Sequence, residues 1–511
     1  MLAKVISGAL IGIDAYPVEV EVDIAQGLPQ FSTVGLPEGA VKESKDRVKS
    51  ALKNSGYNFP ARRITINLAP ADIRKDGAAF DLPIAIGLLS ATGVVDEVNL
   101  ENFILLGELS LDGRIKPVRG VLPIAVAARK WGDRSLILPT ENADEGAVVA
   151  GPPVYAVRDL GDVVALLNGE REFTPHRCDF DPSATPATTD GEDFSEVRGQ
   201  EHVKRALEVA AAGAHNVLLS GPPGSGKTML ARRLPSILPE LSFEEALETT
   251  KIHSVAGLLG HSHGLISQRP FRSPHHTISD AGLIGGGSYP RPGEVSLADN
   301  GILFLDEFPE FKKNVLEMLR QPLEDGRVCI SRAALSLTYP ANFMLVAAMN
   351  PCPCGFLGDP HQQNPCSCTP PMIQRYRSRL SGPLLDRIDL HIEVPRVPHK
   401  DLTGTTVTES SATIRERVNL ARQIQVDRLK PFNLHTNAQM QTRHINKFCK
   451  LDNAGEQLLE QVTDRLGLSA RSYTRILKLA RTIADLAGVT RIERQHLAEA
   501  IQYRGVDRKL G

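Results

Sequence analysis

The chain has 511 residues, of which 42% are apolar and 23% are charged, and its formal net charge is −2. This length exceeds what one hydrophobic core usually serves, so we expect about two to four domains. The nearly neutral charge excludes a uniformly basic nucleic-acid-binding chain, and contact with DNA would need local basic patches. No apolar run reaches the roughly 18 residues of a membrane span, and the first residues have the pattern of a strand rather than a secretory signal. These features predict a cytoplasmic protein.

Changes in composition along the chain predict five sections. Residues 1–170 mix short apolar strands with helical stretches, which is typical of one α/β domain. Residues 171–192 are rich in Pro, Thr, Ser and acidic residues and are predicted to be a linker. The section 193–395 contains strands that are apolar on both faces, as in a parallel sheet covered by helices. A second linker is predicted at 396–410, followed by a helical section, 411–511.

A glycine-rich stretch lies between a predicted strand and a predicted helix. It satisfies the pattern G-x-x-x-x-G-K-[ST] with the residues Gly221, Pro222, Pro223, Gly224, Ser225, Gly226, Lys227 and Thr228. In such a loop, backbone N–H groups turn inward around phosphate oxygens, and the helix that follows points its positive end at them. We therefore expect this phosphate loop (residues 221–228) to bind ATP, with Lys227 on the β- and γ-phosphates and Thr228 on Mg²⁺.

Two acidic residues, Asp306 and Glu307, follow a buried apolar strand further along the chain. Burying charge is costly, so paired carboxylates at the end of such a strand indicate chemistry rather than packing. We expect Asp306 to hold Mg²⁺ through its water shell and Glu307 to polarise the attacking water. The next apolar strand ends at Asn350, which is placed to orient the same water.

This order of motifs, together with a Leu-Leu-Asp-Arg stretch at 384–387 and a helical C-terminal lid, resembles AAA+ ATPases of the magnesium-chelatase-like branch. The resemblance implies a ring of identical subunits, a homo-hexamer, in which Arg387 enters the ATP site of the neighbouring subunit. Arg379 is the second choice for this arginine finger. The resemblance also implies that Arg471, at the start of a lid helix, contacts the γ-phosphate. A solvated helix face remains the alternative for each arginine.

Four further stretches, 269–277, 284–287, 292–297 and 347–354, are similar to the ComM/YifB family of bacteria, and the resemblance covers essentially the whole chain. It implies an ATP-hydrolysing ring motor that acts on single-stranded or branched DNA. The implied role is a branch-migration helicase in recombination and natural transformation. The alternative is a protein-remodelling or metal-chelatase-type AAA+ ATPase that does not act on DNA.

The first section resembles the proteolytic domain of Lon protease, an α/β domain of the ribosomal S5 type, in the stretch 107–118. Lon protease uses a Ser–Lys pair. The matching positions here carry Ala79 and Leu122. Without a hydroxyl nucleophile and its base there is no acyl transfer, so we predict the fold without peptidase activity.

Four cysteines form a C-x-C pair, a gap of eleven residues and a second C-x-C pair: Cys352, Cys354, Cys366 and Cys368. Four thiolates from two tight loops suit tetrahedral Zn²⁺, and the role would be structural because no coordination position stays open. Redox pairing, which is uncommon in the cytoplasm, and incidental clustering are the alternatives.

Two elements beyond a minimal ATPase core carry arginines. The segment 255–298 contains Arg269 and Arg272, and a predicted hairpin at 327–339 carries Arg332 in its turn. In the related ATPases, insertions at these two places face the central channel of the ring. Arginines without neighbouring aromatic residues suit phosphate contact rather than base reading. A solvated, charged loop remains the alternative for both elements.

Overall fold

A computed structural model describes most of the chain, namely residues 1–73, 75, 77–149, 151–178, 192–259, 264–287, 290–332, 335–358, 365–397, 408–466 and 469–504. Most of the two predicted linkers, 171–192 and 396–410, lies outside the described residues. The chain divides into two compact units, Met1–Ala184 with Phe243–Ile266, and Thr185–Ser242 with Ser267–Gly511. Within the described ranges, no helix has both the length and the apolar character that a membrane span requires.

The first unit alternates strands and helices. Its strands are β1 (Leu2–Ile11), β2 (Asp14–Ala25), β3 (Gln30–Val34), β4 (Arg63–Ala69), β5 (Phe103–Leu105), β6 (Glu108–Leu109), β7 (Ile115–Lys116), β8 (Ser135–Pro139) and β9 (Val154–Val157). Its helices in this part of the chain are α1 (Gly39–Asn54), α2 (Asp81–Ala91), α3 (Glu97–Leu100), α4 (Val121–Ala128), α5 (Ala143–Ala147) and α6 (Leu160–Leu167).

A seven-stranded mixed sheet organises the first unit, in the order β3-β4-β2-β1-β5-β8-β9. β1 and β2 are antiparallel, as are β2 and β4, whereas β5, β8 and β9 run parallel to one another. Every residue of α2 is buried, because the helix is apolar apart from Asp81 at its start and Ser90 near its end. The α/β class predicted for this part of the chain is confirmed.

The remaining elements belong to the second unit, except for the helix Phe243–Ala256, which belongs to the first unit. Up to the acidic pair these are α7 (Glu201–Gly213), β10 (Val217–Ser220), α8 (Lys227–Arg233), α9 (Phe243–Ala256), β11 (Phe271–Arg272), α10 (Asp280–Ile284), β12 (Gly285–Gly286), β13 (Arg291–Pro292), α11 (Glu294–Leu297) and β14 (Ile302–Leu305). Then follow α12 (Lys313–Met318), α13 (Pro322–Asp325), β15 (Arg327–Arg332), β16 (Leu335–Pro340), β17 (Met344–Met349), α14 (Pro370–Arg377), α15 (Gly382–Leu385) and β18 (Leu390–Glu393).

The C-terminal part is helical, as predicted, with α16 (Ser411–Leu429), α17 (Thr442–Phe448), α18 (Asn453–Leu466), α19 (Ala470–Leu486) and α20 (Arg494–Gln502). Buried Asp485 of α19 accepts hydrogen bonds from Arg428 of α16, at 2.6 and 2.8 Å, and from Arg481, at 3.0 Å. These charge-assisted bonds join two lid helices whose apolar faces share the core cluster of the unit.

A five-stranded sheet forms the centre of the second unit, in the order β11-β14-β17-β10-β18. All of its neighbouring strands are parallel. β14 and β17 are buried along their whole length, as expected for strands covered by helices on both faces. Because the strands are parallel, their carboxyl ends meet at one edge, and the phosphate loop, the acidic pair and Asn350 all lie there.

Helix α9 packs with the first unit, although the sequence analysis placed it within the section 193–395. Leu265, shortly after α9, shares an apolar cluster with Leu122 and Val149. The Ser254 hydroxyl also donates a 2.5 Å hydrogen bond to buried Glu145, whose carboxylate accepts the Leu122 N–H at 2.9 Å. Buried apolar and polar contacts with residues far away in sequence therefore determine where this helix lies.

Candidate nucleotide-binding site

Glycines determine the path of the phosphate loop between β10 and α8. A Cβ atom on Gly221 would lie 2.1 Å from the carbonyl oxygen of Val394, so no larger residue fits there. Gly224 and Gly226 have φ angles of +75° and +87°, in the left-handed region that favours glycine. The loop therefore has the tight path that phosphate-binding loops use to aim backbone N–H groups inward.

The ammonium group of Lys227 is buried inside this loop. Its Nζ donates to the carbonyl oxygens of Gly221 and Pro222, at 2.7 and 2.9 Å, and to Oδ1 of Asn350 at 3.3 Å. Burial lowers the pKa of Lys227, and the negative charge of Asp306 opposes that shift. These three oxygen acceptors hold the ammonium group of Lys227 inside the phosphate loop. Phosphate oxygens of a nucleotide can take their place as its hydrogen-bond partners.

Thr228 and Asp306 are brought together although they are far apart in sequence. The Thr228 hydroxyl donates to Oδ2 of Asp306 at 2.8 Å, and Oδ1 of Asp306 accepts the backbone N–H of Glu307 at 2.9 Å. Hydroxyl and carboxylate oxygens are the ligands that Mg²⁺ prefers, directly or through water. The two side chains therefore fit the magnesium site predicted from the sequence.

Glu307 has an unusual backbone and an accessible side chain. Its φ and ψ angles are 52° and 43°, a left-handed conformation that costs a non-glycine residue about 1–3 kcal/mol and is concentrated at functional sites. Its side chain is 57% exposed, and Oε2 lies 3.1 Å from Nδ1 of His276. The carboxylate is thus open to solvent and oriented by one neighbour.

His276 was not identified from sequence as a neighbour of Glu307. Its ring lies against that of His275 at an interplanar angle of 33°, with centroids 4.1 Å apart, and meets the edge of Phe311 at 6.4 Å. These contacts fix the imidazole beside the carboxylate. The sequence patterns do not indicate the pair, because the two residues lie in separate segments with no fixed spacing. The sequence singled out His276 only as part of the arginine-bearing segment 255–298.

Arg387, the predicted finger, is folded back on its own subunit. Its side chain is only 8% exposed and pairs through Nη2 with Glu324. Its Nη1 donates to the Pro383 carbonyl oxygen at 2.8 Å. Within the described residues, no hydrogen bond joins its guanidinium to the phosphate loop.

The two other predicted arginines are more accessible. Arg379 is 48% exposed and pairs with Glu310 at 2.6 Å. Arg471 is exposed at the start of α19. The hydrogen bond from Arg387 lowers the pKa of Glu324, and the charges of Arg387, Arg471 and Arg475 lower it further. The structure therefore pairs Arg387 with a carboxylate of its own chain, whereas Arg471 is exposed.

The four clustered cysteines meet in space. Their sulfur atoms all lie within 4.8 Å of one another, with Cys352 Sγ at 3.3 Å from Cys354 Sγ and at 3.7 Å from Cys366 Sγ. A tetrahedral zinc site with bonds of about 2.3 Å separates its sulfurs by about 3.8 Å. The backbone N–H of Cys354 also donates to Cys368 Sγ at 3.4 Å. This geometry fits Zn²⁺.

The cysteine loop abuts the phosphate loop. It begins directly after Asn350, and a Cβ atom on Gly355 would lie 2.6 Å from Cδ of Pro223. The φ angle of Gly355 is +87°, so both its conformation and this close approach favour glycine. The cysteines therefore stabilise a segment in direct contact with the site.

The three arginines predicted to contact DNA differ in their surroundings. Arg269 donates to the carbonyl oxygens of Pro239, Asn300 and Glu240, at 2.6, 2.7 and 3.1 Å. Arg272 forms a two-bond pair with Glu294, at 2.6 and 2.7 Å. Both guanidinium groups are thus bonded within the chain.

Arg332 ends β15 opposite Leu335, in the hairpin predicted at 327–339, and its side chain lies outside the described residues. Phosphate contact therefore remains a prediction for all three arginines.

The sheet order, the phosphate loop and the acidic pair together define a P-loop ATPase module of the AAA+ class. The family profile described as "Magnesium chelatase, subunit ChlI" matches residues 193–402. The profile "Subunit ChlI of Mg-chelatase" matches residues 20–142, and "Magnesium chelatase, subunit ChlI C-terminal" matches residues 408–504.

Relatives that match the whole chain identify its family within this class. The chain is 46% identical over its whole length to Competence protein ComM of Haemophilus influenzae, and 47% identical to the protein YifB of Escherichia coli, covering 98% of each. It is also 29% identical to Lon protease 2 of Bacillus subtilis over 193 residues, which are 34% of this chain and 33% of that protein. The chain belongs to the ComM/YifB family of magnesium-chelatase-like AAA+ proteins, with Lon-like homology in its first unit.

Proposed function

We propose that this protein is an ATP-hydrolysing ring motor of the cytoplasm that acts on DNA, as a branch-migration helicase in recombination and natural transformation. The observation that carries the ATPase part is the convergence of Lys227, Thr228, Asp306 and Glu307 at one edge of the parallel sheet. The name of the competence protein of Haemophilus influenzae supports the pathway.

The residues of the site divide the work of hydrolysis. Lys227 and the backbone of the phosphate loop bind the β- and γ-phosphates, and Thr228 and Asp306 hold Mg²⁺, which offsets phosphate charge when bound. Glu307 accepts a proton from the water that attacks the γ-phosphorus, while the bond to the ADP oxygen breaks. Asn350, already bonded to Lys227, orients that water.

The arginines act between subunits. Arg387 pairs with Glu324, Arg471 is exposed, and neither has a described hydrogen bond to the phosphate loop of its own chain. In a homo-hexamer they would neutralise the charge that develops on the γ-phosphate of the neighbouring subunit. This supports a ring in which each ATP site is completed by the next chain.

The cysteine cluster would hold a structural zinc ion. The thiolates of Cys352, Cys354, Cys366 and Cys368 would supply all four of its ligands and leave no position for chemistry. When bound, the metal would hold the loop after Asn350 in one conformation against Pro223. Its contribution to ATP turnover is therefore to keep the phosphate loop and Asn350 in register.

DNA contact is proposed for the hairpin of β15 and β16. Its turn carries Arg332, and its base is anchored by Tyr339, whose hydroxyl donates to the Pro290 carbonyl oxygen at 2.7 Å. An anchored hairpin with a basic turn suits phosphate contact in a channel. Arg269 and Arg272 stabilise the segment 255–298, since their guanidinium groups form hydrogen bonds within the chain.

ATPase measurements with and without DNA test the proposed function. The rate should rise when single-stranded or forked DNA is added, and Lys227→Ala, which disrupts the phosphate cradle, should remove both rates. Arg332→Ala should lower the stimulation by DNA. It should also weaken the salt dependence of DNA binding: the slope of the logarithm of the binding constant against the logarithm of salt concentration should decrease in magnitude by about 0.7 to 0.9, for one lost phosphate contact. A DNA-independent ATPase would favour a protein-remodelling or chelatase-type motor instead.

A further inference from the structure

Glu324 is the carboxylate that holds the guanidinium of Arg387. It lies in α13, its side chain is 55% exposed, and it pairs with Arg387. Arg475 of α19 pairs instead with the buried carboxylate of Asp389. Arg387 and Arg475 thus each have their own acidic partner within the chain.

Arg387 is held firmly in this arrangement. Nη2 pairs with Glu324, Nη1 donates to Pro383, and Nε is buried without a hydrogen-bond partner among the described residues. The carbonyl group of Arg387 accepts from Asn216, at 3.1 Å, and from Arg475, at 3.1 Å. The backbone is therefore fixed, and only the guanidinium has to change partner to reach another subunit.

The partner that Arg387 gives up resembles the partner it would gain. Carboxylate and phosphoryl oxygens are both anionic acceptors that a planar guanidinium can bind with two donors. The pair of Arg387 with Glu324 thus joins the same two kinds of group as an arginine bound to a phosphoryl oxygen. Glu324 can therefore stand in for the γ-phosphate of the neighbouring ATP.

Glu324 is also linked to the hairpin of β15 and β16. Helix α13 ends at Gly326, whose φ angle is +63°, and β15 begins at the next residue. The carbonyl oxygen of Gly326 accepts the N–H of Ala341 at 2.9 Å. Because Ala341 directly follows β16, this bond joins the end of α13 to both strands at the base of the hairpin. A displacement of the hairpin is thus transmitted to α13 over very few residues.

Space for movement lies beside the ion pair. A cavity of about 580 Å³ is lined by Glu324 and Arg387, and also by Val328 and Cys329 of β15. The cavity borders both the ion pair and the hairpin, so a shift of β15 changes the volume open to the Arg387 side chain. This geometry provides room for the guanidinium to leave Glu324.

We propose that Glu324 is a positioning residue that keeps Arg387 bound within its own subunit until movement of the β15–β16 hairpin releases it to the neighbouring ATP. The inference rests on the proposed ring ATPase and adds a mechanism by which DNA on the hairpin regulates hydrolysis. It also explains why the arginine predicted to act on a neighbour is buried and paired in this chain.

The test compares Glu324→Gln with the wild-type full-length chain in steady-state ATPase assays, with and without single-stranded DNA. Glutamine keeps the shape and removes the charge. We expect the basal kcat to rise about three- to fivefold, the range for one partly exposed ion pair. The KM for ATP should not change, because the phosphate loop is untouched, and stimulation by DNA should fall towards onefold.

Two further variants serve as controls. Glu324→Asp keeps the charge on a shorter side chain and should stay closer to wild type than Glu324→Gln. Glu310→Gln removes the partner of Arg379, whose side chain is 48% exposed against 8% for Arg387, and should leave the basal rate and the DNA stimulation unchanged. Thermal unfolding and light scattering check that each variant folds and assembles as the wild type does.

The inference is overturned if Glu324→Gln leaves the basal rate unchanged or lowers it. It is also overturned if Glu310→Gln alone raises the rate, since that would assign the finger to Arg379. If Glu324→Gln unfolds early, Glu324→Ala, which also removes the charge, carries the test, and an unchanged or lower basal rate in that folded variant would contradict the inference. A wild-type chain without ATPase activity refutes the proposed function, and this inference with it.

Discussion

The two units of the chain use buried or strand-end carboxylates in different ways. In the first unit, Asp81 is buried and accepts from Arg47 Nε at 2.6 Å, from Arg47 Nη2 at 3.0 Å and from the Leu109 N–H at 3.3 Å. Burial raises its pKa to about 6 even though Arg47 acts in the opposite direction. In the second unit, Glu307 is more than half exposed, has a left-handed backbone and meets one imidazole.

The comparison distinguishes carboxylates that maintain a fold from carboxylates placed for chemistry. All the described acceptor contacts of Asp81 and Glu145 are made inside the first unit, and the positions that match the catalytic pair of Lon protease, Ala79 and Leu122, pack in apolar clusters. Glu307, by contrast, keeps an oxygen open to solvent and has a strained backbone. Accessibility combined with strain therefore indicates the site better than the presence of acidic residues does.

Glu307→Gln should produce the largest effect. Loss of the base should lower kcat by at least roughly 10²-fold, while ATP binding persists because the phosphate loop is intact. Turnover assays and titration with a fluorescent nucleotide measure the two properties separately. Lys227→Ala is the matched control and should lose nucleotide binding itself. Turnover at the wild-type rate in Glu307→Gln would remove this residue from catalysis.

Asp81→Ala should act on stability instead. It leaves the guanidinium of Arg47 and the Leu109 N–H without their acceptor, which should lower the free energy of unfolding of the first unit by about 2 kcal/mol. This change corresponds to roughly thirtyfold in the folding equilibrium. Denaturant unfolding measures it. The kcat per folded chain should match wild type, and a large loss of kcat in folded protein would contradict the structural role.

Removal of the zinc site should have an intermediate effect. Cys366→Ser should lose bound zinc, as measured by metal analysis of the purified chain. It should also lower ATPase activity about tenfold, because the loop that follows Asn350 is no longer held against the phosphate loop. Cys329→Ser, at an exposed cysteine outside the cluster, is the control and should keep both metal and activity. Full activity in zinc-free Cys366→Ser would show that the metal does not support the site.

His276→Ala should produce the smallest effect. The variant frees the Glu307 carboxylate to rotate, so kcat should fall about threefold, as for loss of one hydrogen bond, with the KM for ATP unchanged. His276→Asn keeps an N–H donor near the position of Nδ1 and should restore part of the rate. If alanine and asparagine at this position both gave wild-type kcat, the 3.1 Å contact would have no role in turnover.

The local features of the site were predictable from sequence, whereas its long-range contacts were not. The phosphate loop and the acidic pair were found because each is a short pattern next to an apolar strand, and parallel strands bring their carboxyl ends to one edge. The pairing of Arg387 with Glu324 has no such signal. It joins separate segments through one contact, which neither periodicity nor spacing encodes.

The position of α9 shows the same limit at the level of domains. Its residues lie within the predicted section 193–395, and the contacts of Ser254 with Glu145 and of Leu265 with Leu122 decide the unit to which the helix belongs. Similarly, Arg269 and Arg272 had the composition of a DNA-contacting segment. Their acceptors, three backbone carbonyls and Glu294, became visible only in the folded chain.

The central claim is that each ATP site is completed by an arginine of the neighbouring subunit. Its most direct test mixes two inactive chains, Arg387→Ala and Lys227→Ala, with separate tags that confirm mixed rings. The account predicts partial recovery of ATPase activity, because some interfaces then combine an intact phosphate loop with an intact Arg387. Mixed rings that form and remain as inactive as either variant alone would contradict it.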